Sequence, residues 1–496
     1  MPIHVDRRSF MIAGSALAAG GVISNPAAAR DAGGAGIDLI ILIPGIGGSV
    51  LSQNGKDAWA PSAKGMHRAI KSLGSSLASL KLVNDPVDSD DCGDGVTADR
   101  LVPDVHLIPG LWRIDGYTKI SDTIVAMPGV VKDKNFFTLP YDWRRDNRVS
   151  ARRLAKKSEL WLQAWRESSG NRDAKLILVC HSMGGLVARY FLECMTGWKV
   201  TRKLITYGTP YRGSPIALDF IHNGMKVGPI KLDGISALFR TFTSVYQLLP
   251  IYPCIESGGV ISRVSELNGI ENVDQQRAIH ALKFHQEIEA AVKRNQRVTQ
   301  YRQKGYQIHP IVGISQDTLQ SARRSEHKLI MSRAVPNLVF SGDGTVPRAS
   351  ATPIEIQEKN LELFVSENHG SLQNSDLTLG QLKGLLTAGA MDWTAYRGVD
   401  GALALNVPSA MRLGETFQFK GALDAAIFRR AITITFSDAY SGSILKTVSL
   451  TATPDGKYAG KTAGLNEGTY RIKAEFTKLT TPDNATISDV FIVVAA

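Results

Sequence analysis

Hydrophobic positions along this chain follow two rhythms. From Ile37 to about Leu386 short unbroken apolar runs recur: IDLIILI at 37–43, NFFTL at 135–139, KLILVC at 175–180, Val200 to Tyr207, YQIHPIVG at 306–313 and LELFV at 361–365. A continuous apolar run of strand length marks a strand covered on both faces, as in a parallel sheet. Between these runs Met183 to Leu192 has helical composition, and Ala151 to Glu167 places Leu154, Trp161 and Trp165 near helical spacing. That stripe predicts a helix with one buried side. After Leu386 the period becomes two: Phe417 and Phe419; Ile432, Ile434 and Phe436; Tyr470, Ile472, Ala474 and Phe476; Val490, Ile492 and Val494. Turn signals such as Pro454-Asp455-Gly456 separate the segments. They predict an antiparallel β-sandwich of about 90 to 100 residues, the size of an immunoglobulin-like module. The expected organisation is an N-terminal segment over 1–30 outside the fold, an α/β domain over 31–390, a linker over 391–408 and the sandwich over 409–496.

A length of 496 residues accommodates a large core and a second module. An apolar content of 44% describes a soluble globular chain, and a net charge of +11 a basic surface. Such a charge favours acidic partners without naming one; no nucleic-acid partner is expected. The first thirty residues carry Asp6-Arg7-Arg8-Ser9-Phe10-Met11-Ile12, a Gly/Ala-rich apolar stretch to Ile23 and Ala27-Ala28-Ala29. This resembles a twin-arginine export signal, and the apolar stretch is well short of the roughly 20 residues a spanning helix needs. The expectation is a bacterial protein exported folded, to the periplasm or beyond. Folding before export makes disulfides inessential. Cys180 and Cys194 read as small buried residues; Cys92 and Cys254 fall in insertions and could pair, which sequence does not fix. No CxxC or HxxxH spacing is present, so neither metal nor cofactor is expected.

Candidate chemistry gathers on Cys180-His181-Ser182-Met183-Gly184-Gly185, between an apolar run and a helical one. A serine on such a turn projects its hydroxyl, provided its flanks are small. Gly184 meets that requirement, whereas Cys180 stands where the strict pattern has glycine. Asp343, in the turn Ser341-Gly342-Asp343-Gly344-Thr345-Val346-Pro347, and then His369 follow in chain order. Nucleophile, acid, histidine is the α/β-hydrolase order. Ser182, Asp343 and His369 are therefore the expected triad, with the backbone N–H groups of Ile46 and Met183 as the oxyanion hole. Ile46 lies in Pro44-Gly45-Ile46-Gly47-Gly48, after the first apolar run; the Gly-Lys-Ser/Thr ending of a phosphate loop is missing. His181 adjoins the nucleophile, and a packing or hydrogen-bonding role is favoured for it over that of rival base. Asp142 precedes the serine, the wrong order for the acid, and a structural ion pair or hydrogen bond is expected.

The surroundings are less determinate. Asp88 to Asp99 reads as a hydrated loop, a calcium loop being the competing reading without EF-hand spacing. Arg152, Arg153, Lys156 and Lys157 read as a solvated face, with transient contact to an anionic membrane surface as the alternative. The long insertion after Gly208-Thr209-Pro210, to about Tyr301, is expected as a cap. Its Ile230 to Leu249 region suits an acyl site and cap packing equally.

The chain resembles the lecithin:cholesterol acyltransferase and lysosomal phospholipase A family. The resemblance is carried by Pro44-Gly45-Ile46-Gly47-Gly48, Pro140-Tyr141-Asp142-Trp143-Arg144, His181-Ser182-Met183-Gly184-Gly185, Gly208-Thr209-Pro210, Ser244-Val245-Tyr246-Gln247-Leu248-Leu249-Pro250, Gly342-Asp343-Gly344-Thr345-Val346 and His369-Gly370. It spans residues 37 to about 385 and does not reach the sandwich. It implies an α/β-hydrolase with cap insertions that acts on lipid acyl esters by hydrolysis or acyl transfer. A carboxylesterase or polyester depolymerase of the same fold, with the sandwich binding the substrate surface, is the alternative.

Overall fold

Six of the expected strands line up in one sheet: β1 (Leu39–Ile43), β2 (Phe136–Thr138), β3 (Leu176–His181), β4 (Thr201–Tyr207), β5 (Gln307–Gly313) and β6 (Leu363–Val365). Their order is β2-β1-β3-β4-β5-β6, and every neighbouring pair is parallel. β1 and β3 are buried along their whole length, which is why both read as unbroken apolar runs. The computed structural model describes residues 37–60, 75–103, 106–108, 112–227, 230–326, 328–333, 342–356, 362–387, 403–423, 431–454, 456–477 and 484–494. The expected export signal, Ser341, Leu361 and linker positions 391–402 lie outside these residues.

Helix α1 (Asn147–Ser169) starts at Asp146, whose side chain accepts from Arg148 N–H, and stops at Gly170 with φ +70°. It buries Val149, Leu154 and Leu162, while Trp161 stacks on Phe137 at 4.3 Å. Trp165 is partly buried and donates from Nε1 to the Ile37 carbonyl at 2.7 Å. The polar side of α1 is largely the expected solvated face, with Arg153, Lys156 and Lys157 exposed, but it also makes surface pairs. Arg152 and Lys156 pair with Asp90, and Arg153 donates to the Ala98 carbonyl. The acidic stretch therefore docks on the basic helix. Arg145 joins Asp85 at 2.9 Å and donates to the Asp90 carbonyl at 2.8 Å, and the buried Arg144 pairs with Asp142 at 2.6 Å and Asp94 at 2.8 Å.

The insertion after β4 contains the helices Pro215–Asn223, Asp233–Phe239, Thr243–Tyr246 and Gln275–Asn295. Its Phe239 and Phe242 pack on Trp143, and Phe239 on Trp59, with ring centroids 5.5 to 6.2 Å apart. Packing is thus the use made of these apolar residues in the 230–249 region. All four cysteines are free thiols.

The C-terminal module is two facing sheets. One holds β7 (Leu403–Asn406), β9 (Phe417–Leu423) and β12 (Lys457–Thr462) in the order β7-β9-β12. The other runs β8-β14-β13-β10-β11, from β8 (Ala410–Arg412), β14 (Asn484–Val494), β13 (Gly468–Thr477), β10 (Ala431–Asp438) and β11 (Ile444–Thr451). Pairing is antiparallel except for β8 on β14. β7 occupies positions expected as linker. Phe417, Phe419, Ile434, Phe436, Ile472 and Phe476 fill the space between the sheets, as their period predicts, but Val490, Ile492 and Val494 do not. From β14 the sandwich core takes Ile487, Phe491 and Val493, while Val490, Ile492 and Val494 belong to the core of the α/β part. The last strand is apolar on both faces because both are covered. Burying three branched side chains is worth about 1.5–3 kcal/mol apiece, so residues 37 onward form one compact unit.

Candidate active site

Ser182 follows β3 directly and precedes helix α2 (Gly184–Cys194). Its φ of +52° is a left-handed conformation in a residue with a Cβ, a strain typical of functional turns. Three bonds hold it there: Ser182 N–H donates to the Tyr207 carbonyl at 2.8 Å, and the Ser182 carbonyl accepts from Gly185 N–H at 3.0 Å and Thr209 Oγ1 at 2.9 Å. The small flank is a steric necessity, since a Cβ at Gly184 would lie 2.5 Å from the Pro44 carbonyl oxygen.

The three expected triad residues meet. Ser182 Oγ lies 2.9 Å from His369 Nε2, and His369 Nδ1 lies 2.7 Å from Asp343 Oδ2. Asp343 Oδ1 accepts from the N–H groups of Thr345 at 2.9 Å and Val346 at 2.6 Å, which fixes the carboxylate and leaves Oδ2 for the imidazole. With Nδ1–H donating to that oxygen, Nε2 is free to accept the serine proton. Serine, histidine and aspartate are each no more than 2% exposed.

Ile46 and Met183 are both buried. Ile46 sits in the glycine turn after β1, which Tyr141 Oη pins at the Pro44 carbonyl (2.9 Å) and Trp59 Nε1 at the Gly47 carbonyl (3.0 Å). Met183 precedes α2 with helical φ and ψ, so its N–H belongs to a helix N-terminus, where negative charge is favoured. A Cβ at Gly45 would fall 2.8 Å from Ser182 Cβ; turn and nucleophile are in contact.

A cleft of about 280 Å³ opens beside the pair, bordered by Asp343, His369, Thr345 and Ile216 from the α/β part and by Val407 and Asp489 from the sandwich. The sandwich therefore walls the site. It also supports the histidine loop: Asn368 Nδ2 donates to the Ser488 carbonyl at 2.9 Å, and Glu367 Oε1 accepts from Asn368 N–H at 2.9 Å and Ser488 N–H at 3.3 Å. Burial, reinforced by the charges of Asp115 and Asp489, raises the Glu367 carboxyl to about 8 against those two hydrogen bonds. Nearby, Arg471 joins the two parts through a paired contact with both Asp115 oxygens. None of these supports was visible in the sequence, since Glu367 and Ser488 are 121 residues apart and belong to no motif. Among the described residues, no three His, Cys, Asp or Glu side chains gather to hold a metal ion.

His181 and Asp142 stand outside the proton path. His181 bonds to Tyr117 and to the His369 carbonyl, and Asp142 to Arg144.

A parallel sheet in this order, with a serine on the turn after β3, a carboxylate after β5 and a histidine after β6, defines an α/β-hydrolase. Residues 111–302 match the Lecithin:cholesterol acyltransferase family. The chain is accordingly an α/β-hydrolase similar over that span to lecithin:cholesterol acyltransferases, and in general terms an esterase or acyltransferase. The matched span contains Ser182 and ends before Asp343 and His369. Among solved structures, a Bacillus licheniformis lipase in its mature form aligns at 13% identity over 72% of this chain and 95% of its own, with a TM-score of 0.31. The propeptide form of that lipase aligns at 12% identity over 92% and 93%, with a TM-score of 0.28. The CARDB domain of a Pyrococcus furiosus protein, in complex with di-metal ions, aligns at 14% identity over 19% of this chain and 88% of its own, with a TM-score of 0.16. No curated protein matches the sequence.

Proposed function

We propose that the protein cleaves acyl esters of membrane lipids, phospholipid or acylglycerol, through an acyl-enzyme on Ser182. The observation that carries this reading is the unbroken hydrogen-bond line from Ser182 Oγ through His369 to Asp343. Ser182 Oγ attacks the ester carbonyl as its proton passes to His369 Nε2, and Asp343 balances the imidazolium that forms. The carbonyl oxygen becomes an oxyanion facing the N–H groups of Ile46 and Met183. Collapse breaks the bond to the alcohol, which leaves with the proton from His369. Water or a second alcohol then gives its proton to His369 and attacks the acyl-serine, and His369 passes that proton to Ser182 Oγ as the fatty acid or new ester is released.

The test is acyl release from phospholipid and acylglycerol vesicles by the purified protein, with an alcohol acceptor present or absent, beside Ser182→Ala. Serine-dependent fatty acid or new ester supports the reading and tells hydrolysis from transfer. A protein whose Ser182 reacts with a fluorophosphonate but releases nothing from either lipid is an esterase of other substrates. We also propose export through the twin-arginine route, on the strength of Arg7 and Arg8 ahead of Phe10. Replacing both arginines by lysine then retains the protein in the cytoplasm; unchanged export would count against it.

A further inference from the structure

Tyr117 and His181 form a buried hydrogen-bond line that runs between the two halves of the catalytic machinery. Tyr117 precedes the helix Thr118–Val125, and His181 is the last residue of β3. Each is 1% exposed. Gly45 N–H donates to Tyr117 Oη at 2.8 Å, Tyr117 Oη lies 2.9 Å from His181 Nδ1, and His181 Nε2 lies 3.1 Å from the His369 carbonyl oxygen. For a neutral His181 ring the partners fix the directions of donation. A carbonyl only accepts, so Nε2 carries the hydrogen; in the neutral ring Nδ1 then accepts, and the tyrosine hydroxyl is its donor. That hydroxyl oxygen accepts in turn from the glycine turn. One line of three bonds thus joins the turn that carries Ile46 to the backbone of the residue that takes the serine proton.

The surrounding packing is shaped to this line. A Cβ at Gly45 would lie 3.3 Å from His181 Nδ1, and one at Gly48 would lie 2.8 Å from Tyr117 Oη, so the turn's glycines make room for the two rings. The His181 and His369 rings lie 5.1 Å apart.

We infer that Tyr117 and His181 are positioning residues that lock the oxyanion turn and the catalytic histidine loop into one register. The inference rests on Ser182 being the nucleophile. Since the two rings touch the oxyanion turn and the His369 backbone, their loss displaces groups whose alignment matters only in the transition state, and a displacement of about 1 Å there costs on the order of a hundredfold in rate.

Tyr117→Phe keeps the ring and removes the hydroxyl; His181→Gln keeps a donor for the His369 carbonyl and gives up the acceptor toward Tyr117. Each variant, and the double, is assayed on a soluble ester and for its rate of fluorophosphonate labelling, with thermal unfolding followed in parallel. The expected result is a fall in kcat of about tenfold to a hundredfold in each single variant. KM stays within about twofold, labelling slows with kcat, and the double variant is no worse than the poorer single one, as for residues that act as a unit. Folded variants with wild-type kcat, or losses that multiply in the double variant, overturn the inference. Absence of labelling in the wild type would instead overturn the assignment of Ser182.

Discussion

Gly208 and His369 are so close that no methyl group fits between them. A Cβ at Gly208 would lie 2.8 Å from His369 Nδ1 and 2.7 Å from Asp343 Oδ2, and Gly208 has φ +57°. Gly208→Ala is therefore strained in its backbone and also pushes on the pair that orients the imidazole. The expected outcome is a kcat about a hundredfold lower with a stability loss of about 1–2 kcal/mol, read by steady-state kinetics and denaturant unfolding.

Asp343→Asn keeps the shape of the acid but presents an amide to His369 Nδ1. If the amide nitrogen faces the ring, the imidazole holds its hydrogen on Nε2 and cannot accept from Ser182. In serine hydrolases such a change lowers kcat by about four orders of magnitude. Here the expected readouts are that loss and an unchanged thermal midpoint within a few degrees.

The chemistry was more legible than its supports. Ser182, Asp343 and His369 each stand in a short motif and follow one another in the α/β-hydrolase order, so linear order alone named three residues that the fold brings within hydrogen-bond distance. Tyr117 and Glu367 had no such signal, because what makes them matter is contact across long stretches of chain. The sandwich shows the same limit. Period two correctly marked Ile432, Ile434 and Phe436 as facing inward, but it also predicted that Val490, Ile492 and Val494 share that interior. A strand apolar on both faces satisfies the same alternation on either side, and only the docked α/β part decides which set faces which core. The acidic stretch and the basic side of α1 read as hydrated and are largely exposed; that they also pair with one another had no signal in the sequence.

Raising the pH through about 8 ionises Glu367. Its carboxyl is held above its ordinary value in the fold, so its contribution to stability is complete below about 4.5 and is lost as pH rises to about 8. The groups around it are Asp115, Asp489 and Arg471. Glu367→Gln removes this dependence, and between pH 6 and 9 the variant gains on the wild type by about 3 kcal/mol of stability, read as a growing difference in melting temperature. Parallel melting curves across that range would refute the assignment.

Arg144 is fully buried, with Nε and Nη2 on Asp142, Nη2 also 2.8 Å from Asp94 and Nη1 donating to the Leu80 carbonyl at 3.0 Å. Arg144→Met leaves two carboxylates facing each other without a cation. The expected cost is about 3–5 kcal/mol in urea unfolding. Arg144→Lys recovers little of it, since an ammonium cannot reproduce the forked contact.

The hydrogen bonds between the histidine loop and Ser488 reach to β14, more than a hundred residues further along the chain. A ribosome has therefore delivered serine, aspartate and histidine long before the segment that braces the histidine exists. A chain unfinished or clipped ahead of Ser488 holds Ser182, Asp343 and His369 in its sequence but lacks part of the scaffold around the histidine. Order of synthesis thus acts as a timer, and the histidine loop gains this brace only once the segment around Ser488 has been made.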